Sequence, residues 1–82
     1  MANNSPGYAI TLRVELSPES SSTASLAQAV IDTGAALTAL DVVESHLEKV
    51  VIDVTCDTID AEHAQNIHNA LSAHDGLTVR KV

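Results

Sequence analysis

Two runs of β-branched and aliphatic residues, joined by a short polar link, constrain the fold of this chain most. The runs are Leu37–Val43 and Val50–Cys56, and the link is Glu44–Lys49. Two such runs with a few polar residues between them predict an antiparallel hairpin. The second run alternates regularly, whereas the first breaks strict alternation. A β-bulge near Asp41–Val43, or an edge strand that meets another chain, would explain the break.

A strand and then a helix are predicted before the hairpin. Apolar and polar residues alternate along Tyr8–Leu16, which is typical of a strand with one face in water. The serine-rich segment that follows offers caps, and Gly34 is suited to the left-handed residue at a helix end. The pattern between them predicts a helix from Ala24 to about Thr33.

A second helix and a last strand are predicted after the hairpin. Asp57–Asp60 offers several helix caps. The helix ends at His74–Gly76, and Leu77–Val82 forms the final strand. The apolar stripe of this helix consists of Ala64, Ile67, Ala70 and Leu71.

The order strand, helix, strand, strand, helix, strand predicts the fold class. Because crossover connections are right-handed, this order gives an α+β, ferredoxin-like βαββαβ domain. Its four-stranded antiparallel sheet carries both helices on one face. Tyr8–Leu16 and Val50–Cys56 would be the central strands, with Arg13 and Asp53 as neighbours on the open face. Residues 8–82 form the domain, and residues 1–7 are a flexible lead-in.

Charge and composition argue against several classes of partner. The 82 residues carry a net charge of −7 and four Lys and Arg, so no basic surface for nucleic acid is expected. Tyr8 is the only aromatic residue available for base stacking. No apolar run is long enough to span a membrane, and the first residues lack a secretory signal. We therefore expect a cytoplasmic protein.

No arrangement of reactive side chains predicts catalysis or metal binding. Cys56 ends an apolar alternating run, which favours a buried packing role. His63, His68 and His74 are spaced five and six residues apart, so no two have the spacing of a helical metal pair. The eleven carboxylates are spread along the chain. We expect no enzymatic activity and no cofactor in this domain.

Four stretches of the chain together resemble the N-terminal ACT domain of bacterial NAD-dependent malic enzymes. They are GYAITLRVEL, GAALTALDVVES, VVIDVTCDTIDAEHA and LTVRKV. These are oxaloacetate-decarboxylating malate dehydrogenases. The resemblance covers Tyr8–Val82 and implies that the chain is a piece of a longer oxidoreductase. NAD and a divalent metal would then be held by the catalytic domain of the parent protein, which would also be a partner of this domain.

The resemblance further implies a regulatory role. ACT domains typically form homodimers through sheet edges or helices and bind small effectors, often amino acids. Where amino-acid-binding members commonly have Pro-Gly, this chain has Pro18-Glu19, and Ala36 stands where an Asn is common. Effector sensing, a stand-alone amino-acid-binding regulator and a purely structural dimerisation module therefore all stay open. The effector-binding residues implied by the resemblance are Ser17, Pro18, Glu19, Ser20, Ala35, Ala36 and Thr38.

Overall fold

The computed structural model describes residues 8–81, which form four strands and two helices. The predicted lead-in of residues 1–7 and the last residue of the predicted final strand, Val82, lie outside the described residues. The elements are β1 (Tyr8–Leu16), α1 (Thr23–Asp32), β2 (Ala36–Ser45), β3 (Val50–Thr58), α2 (Ala61–Ser72) and β4 (Leu77–Lys81).

The strands form one antiparallel sheet in the order β2-β3-β1-β4. The predicted βαββαβ fold and the predicted central strands, β1 and β3, are thereby confirmed. Their register runs without a break from the pair Tyr8 and Thr58 to the pair Leu16 and Val50. Regular alternation on both strands explains this continuity, because every second row, from Ile10 and Cys56 to Leu16 and Val50, places one apolar side chain from each strand on the same face.

The edge strand β2 contains two irregularities in its pairing with β3. The register shifts between Leu37 and Ala39 and again between Val42 and Glu44. The bulge predicted near Asp41–Val43 is confirmed, whereas the one at Thr38 was not predicted. Each bulge absorbs one extra residue, so pairing continues past the break in alternation. The hairpin strands are therefore longer than predicted, and their link shrinks to residues 46–49.

Side-chain caps fix the helix starts. Ser22 caps α1 by accepting a hydrogen bond from the Ser25 amide, and Asp60 caps α2 in the same way through the His63 amide. Helix α1 begins and ends one residue earlier than predicted. In the predicted stripe of α2, Ile67 and Leu71 are fully buried, but Ala70 is exposed. That part of the prediction was wrong, since α2 meets the sheet along a narrower face.

The core lies between the helices and one face of the sheet. Cys56 is completely buried there, and burial raises the pKa of its thiol, with a smaller contribution from Asp57. The predicted packing role of Cys56 is confirmed, since a buried thiol resists forming the reactive thiolate. The other buried members of the core are Leu12, Val14, Leu16, Leu26, Ala29, Val30, Ala35, Ile52, Val54, Ile67, Leu71 and Leu77.

Ion pairs cross the open face of the sheet. Arg13 donates from Nε and Nη2 to the two carboxylate oxygens of Asp53, at 2.8 and 3.0 Å. The predicted pairing of these two residues is thereby confirmed. A second pair joins Arg80 to Glu15 at 2.9 Å. The hydrogen bonds from Arg13 hold the pKa of Asp53 below its ordinary value and raise the pKa of Arg13 itself.

The lowered pKa of Asp53 predicts a pH-dependent contribution to stability. Asp53→Asn should lower the free energy of unfolding at neutral pH, where the carboxylate is charged in both folded and unfolded chains. The difference from wild type should persist down to the ordinary carboxyl pKa of about 3.9 and vanish as the pH falls below the folded-state pKa. Urea denaturation at a series of pH values measures it.

The matched control repeats the Asp53→Asn substitution in an Arg13→Gln background. There the difference in unfolding free energy should be small at every pH, because the partner is already missing. A difference that stays constant into strong acid would contradict the assignment of the effect to this ion pair.

Candidate functional site

The first half of the predicted effector site is the loop between β1 and α1. The amides of Ser20 and Ser21 both donate to the carbonyl of Ser17, each at 2.9 Å. Pro18 lies directly after Ser17, at the second position of this turn. The fixed φ of proline favours a turn at that position. Glu19 follows it, and the four predicted site residues Ser17 to Ser20 are all exposed. The loop is thus a compact turn with its side chains accessible to solvent.

Contacts with the connection between α2 and β4 hold this loop in place. The amide of Ser17 donates to the carbonyl of Gly76 at 2.8 Å. Gly76 has φ +84°, and a Cβ added there would lie 2.7 Å from Cβ of Ser20. Glycine is therefore required at position 76 both for its backbone conformation and for the close approach of the loop.

The second half of the predicted site is the start of β2. Ala35 is buried in the core, whereas Ala36 and Thr38 are exposed. Thr38 lies at the first bulge, and its hydroxyl donates to the carbonyl of Thr55 at 3.1 Å. Of the three predicted residues, only Ala36 and Thr38 are therefore accessible to a ligand, and only the latter offers a polar side chain.

The structure places the two halves at opposite ends of the sheet. Ser17 follows Leu16, which pairs with Val50 at one end, whereas Ala36 pairs with Asp57 at the other. The two rows are seven steps apart along β3, from Val50 to Asp57, which is about 23 Å at the usual rise of a strand. A single chain therefore does not bring the predicted effector-binding residues together.

His63 connects the elements around the start of β2. Its Nδ1 accepts a hydrogen bond from the Ile59 amide at 3.1 Å, and its Nε2 lies 2.8 Å from the Thr33 carbonyl. Because Nδ1 accepts, the ring proton is on Nε2, which donates to Thr33. The ring thereby links the first turn of α2 to the end of α1, next to Gly34.

The role of His63 was not found from the sequence. The spacing of histidines on α2 bears only on metal binding, and no local pattern indicates that a ring at this position reaches across to the end of α1. Within residues 8–81, no group of three or more His, Cys, Asp and Glu side chains comes together in a way that would hold a metal ion. In the same part of the chain, no helix has the length and hydropathy needed to cross a membrane.

Comparisons with known proteins add no assignment to this geometry. No protein-family model matches the chain, and no curated protein or solved structure matches it significantly.

The contact between the loop and Gly76 predicts different costs for two glycine substitutions. Gly76→Ala should lower the free energy of unfolding by about 3 kcal/mol, through the positive φ and the clash with Ser20. Gly34→Ala is the matched control, since its φ is +88° but the nearest atom to an added Cβ lies 4.0 Å away. It should cost only about 1 kcal/mol. Equal losses in denaturant unfolding would contradict the close packing at Gly76.

The two ring hydrogen bonds predict that His63 stabilises the fold. His63→Phe keeps a ring of similar size but leaves the Ile59 amide and the Thr33 carbonyl without this partner. We expect a loss of about 1–2 kcal/mol in unfolding free energy. His74→Phe, at an exposed position after α2, should change it by less than about 0.5 kcal/mol. Thermal unfolding of both variants at neutral pH makes the comparison, and equal effects would argue against the link.

Proposed function

We propose that this chain is a non-catalytic regulatory and assembly domain of the ACT type that acts as a homodimer. The observation that carries the proposal is the separation of the predicted effector-binding residues to the two ends of the sheet. If both halves contribute to one site, a second copy must supply one of them. The edge strand β2 runs between these two ends and is the surface through which we expect the copies to pair.

The geometry of β2 supports this arrangement. Antiparallel pairing of two copies of an edge strand places the start of one beside the end of the other. Ala36 at the start of β2 would then lie at the same end of the combined sheet as the partner's loop of Ser17–Ser20, which follows β1, two strands in from the paired edge. Each site would thus combine residues from two chains, and a dimer would carry two equivalent sites.

The exposed side chains near the end of β2 also favour association. Val42 is 51% exposed, Val43 is 40% exposed, and Leu47 in the hairpin link is 97% exposed. Natural sheets usually protect an edge with charged residues or proline. Asp41 and Glu44 flank the two valines, but three large apolar side chains remain in solvent in the monomer. Covering them with a partner would remove apolar surface from water.

The parent protein is the second part of the proposal. The resemblance of Tyr8–Val82 to the N-terminal domain of bacterial NAD-dependent malic enzymes supports a cytoplasmic malate dehydrogenase as the full-length protein. NAD and a divalent metal would bind to its catalytic domain and not to this one. The reading frame beyond Val82 tests this part directly, since a nicotinamide-binding domain there would support it and a stop codon would count against it.

Effector sensing and pure assembly differ in what the dimer binds. Glu19 and Ala36 replace residues that commonly recognise amino acids in ACT domains, which favours assembly. Isothermal calorimetry with free amino acids tests the point. Heat of binding that is lost on Thr38→Val would support sensing at the start of β2. A persistent dimer that binds none of them would leave assembly as the function.

The proposed interface predicts the effect of a charge placed on β2. Val42→Lys should convert the dimer into a monomer, raising the dimer dissociation constant by at least about tenfold, because a lysine would be buried against the partner. Ile31→Lys is the matched control, since Ile31 on α1 is 50% exposed in the monomer. It should leave the dissociation constant unchanged. Analytical ultracentrifugation of both variants and the wild type measures it.

The same pair of variants distinguishes the two predicted modes of pairing. If Ile31→Lys dissociates the dimer and Val42→Lys does not, the interface lies on the helices and not at the sheet edge. A wild-type chain that stays monomeric at high micromolar concentration would contradict homodimer formation altogether.

A further inference from the structure

Asp75 is followed by Gly76, and this is the only place in the chain where an aspartate or an asparagine precedes a glycine. Every other aspartate and asparagine is followed by a residue with a side chain, which shields the next main-chain nitrogen. Because glycine has no Cβ, the amide nitrogen of Gly76 is open to approach by the side chain that precedes it.

The two residues form the centre of the turn between α2 and β4. Across this turn the Leu77 amide donates to the His74 carbonyl at 3.3 Å, and Gly76 has φ +84°. No described residue forms a main-chain hydrogen bond with the Asp75 carbonyl or the Gly76 amide. These two groups belong to one peptide unit, so that unit can rotate without breaking a main-chain hydrogen bond.

The carboxylate of Asp75 is also free to move. Asp75 is exposed, and within residues 8–81 it takes part in none of the ion pairs. Asp60 provides the contrast, since its Oδ1 accepts a hydrogen bond from the His63 amide at 2.8 Å and is thereby held at the start of α2. Exposure, a rotatable peptide unit and a following glycine thus coincide at Asp75.

We propose that Asp75 is a site of spontaneous isomerisation, in which the aspartate becomes an isoaspartate through a cyclic succinimide. In the first step the Gly76 nitrogen bonds to Cγ of Asp75, and the carboxyl hydroxyl leaves with the amide proton as water. In the second step a water molecule opens the ring. Attack at Cγ restores aspartate, whereas attack at the main-chain carbonyl carbon breaks the original peptide bond and leaves the chain running through Cγ. One water leaves and one enters, so water is the only co-reactant.

The product changes the main chain at a position that holds the loop after β1. The Ser17 amide donates to the Gly76 carbonyl at 2.8 Å, and a Cβ added at Gly76 would lie 2.7 Å from Cβ of Ser20. Isoaspartate inserts one methylene into the main chain directly before Gly76, which displaces its carbonyl and Cα from these close contacts. Isomerisation therefore releases the loop Ser17–Ser20. This inference requires neither the proposed dimer nor an effector, so it holds or fails independently of them.

Incubation of the whole chain in water enriched in ¹⁸O, at mildly acidic pH and below the unfolding temperature, tests the reaction. Each passage through the succinimide takes up one ¹⁸O, and fragmentation mass spectrometry assigns the label to a residue. We expect label at Asp75, together with a second chromatographic form of the same peptide that has the same composition. Asp60 is the internal reference and should stay unlabelled. No label at Asp75, or equal label at Asp60, would overturn the proposal.

A synthetic peptide with the sequence of residues 72–78 measures what the turn contributes. Because the turn leaves the peptide unit and the carboxylate free, the folded chain should take up label at Asp75 at a rate comparable to that of the peptide. Strong protection of Asp75 in the folded chain would mean that the turn prevents ring closure. That result would contradict the proposal.

Matched variants assign the chemistry to this side chain. Asp75→Glu keeps the charge but requires a six-membered ring, which closes far more slowly, so the label and the second form should both disappear. Asp57→Glu, at an exposed position on β3, should leave the labelling of Asp75 unchanged. A second form that persists in Asp75→Glu would overturn the assignment.

Amide hydrogen exchange of the two separated forms tests the consequence for the loop. The Ser17 amide should exchange several-fold faster in the isoaspartyl form, because its acceptor on Gly76 is displaced, whereas the amides of β1 that pair with β3 should keep their protection. Equal protection of the Ser17 amide in both forms would overturn the claim that isomerisation releases the loop.

Discussion

The pairing of β1 with β3 is the constraint on which the rest of the structure depends. Nine rows of the sheet, from Tyr8 opposite Thr58 to Leu16 opposite Val50, are in continuous register. A slip of one residue would turn every apolar side chain of one strand to the other face. Because Val14 and Ile52 are both fully buried in the same row, such a slip would dismantle the core.

This register also determines where the candidate site and the proposed interface lie. It places Arg13 opposite Asp53 on the open face, and it sends the loop after β1 and the start of β2 to opposite ends of the sheet. The two edges then differ in character. The β2 edge is long, bulged and apolar near its end, which favours a second copy. At the other edge, β4 is described as far as Lys81, which pairs with Leu12.

Most of the fold could be predicted from the sequence because local and long-range signals agree. The alternation in β1 and β3, and the caps at Ser22 and Asp60, each indicate the element that the structure contains. The bulge at Thr38 could not be predicted, because its cause is the pairing of β2 with β3 and not a local pattern. The exposure of Ala70 depends on how α2 lies on the sheet, which periodicity does not determine.

Less of the candidate site than of the fold could be predicted from the sequence, and the reason is physical. A resemblance assigns residues one by one, but only the three-dimensional register shows that Ser17 and Ala36 of one chain lie at opposite ends of its sheet. The hydrogen bonds of His63 to Ile59 and Thr33 join groups from different elements and have no sequence signature.

The central claim is that two copies pair through β2 and complete the site that one chain leaves divided. The most direct measurement is an isotope-filtered NMR experiment on a mixed dimer of labelled and unlabelled chains. We predict intermolecular contacts between the two β2 strands in antiparallel register, with Ala36 of one protomer near the end of β2 in its partner. Intermolecular contacts confined to α1 and α2, or none at concentrations where the wild type is a dimer, would contradict the account.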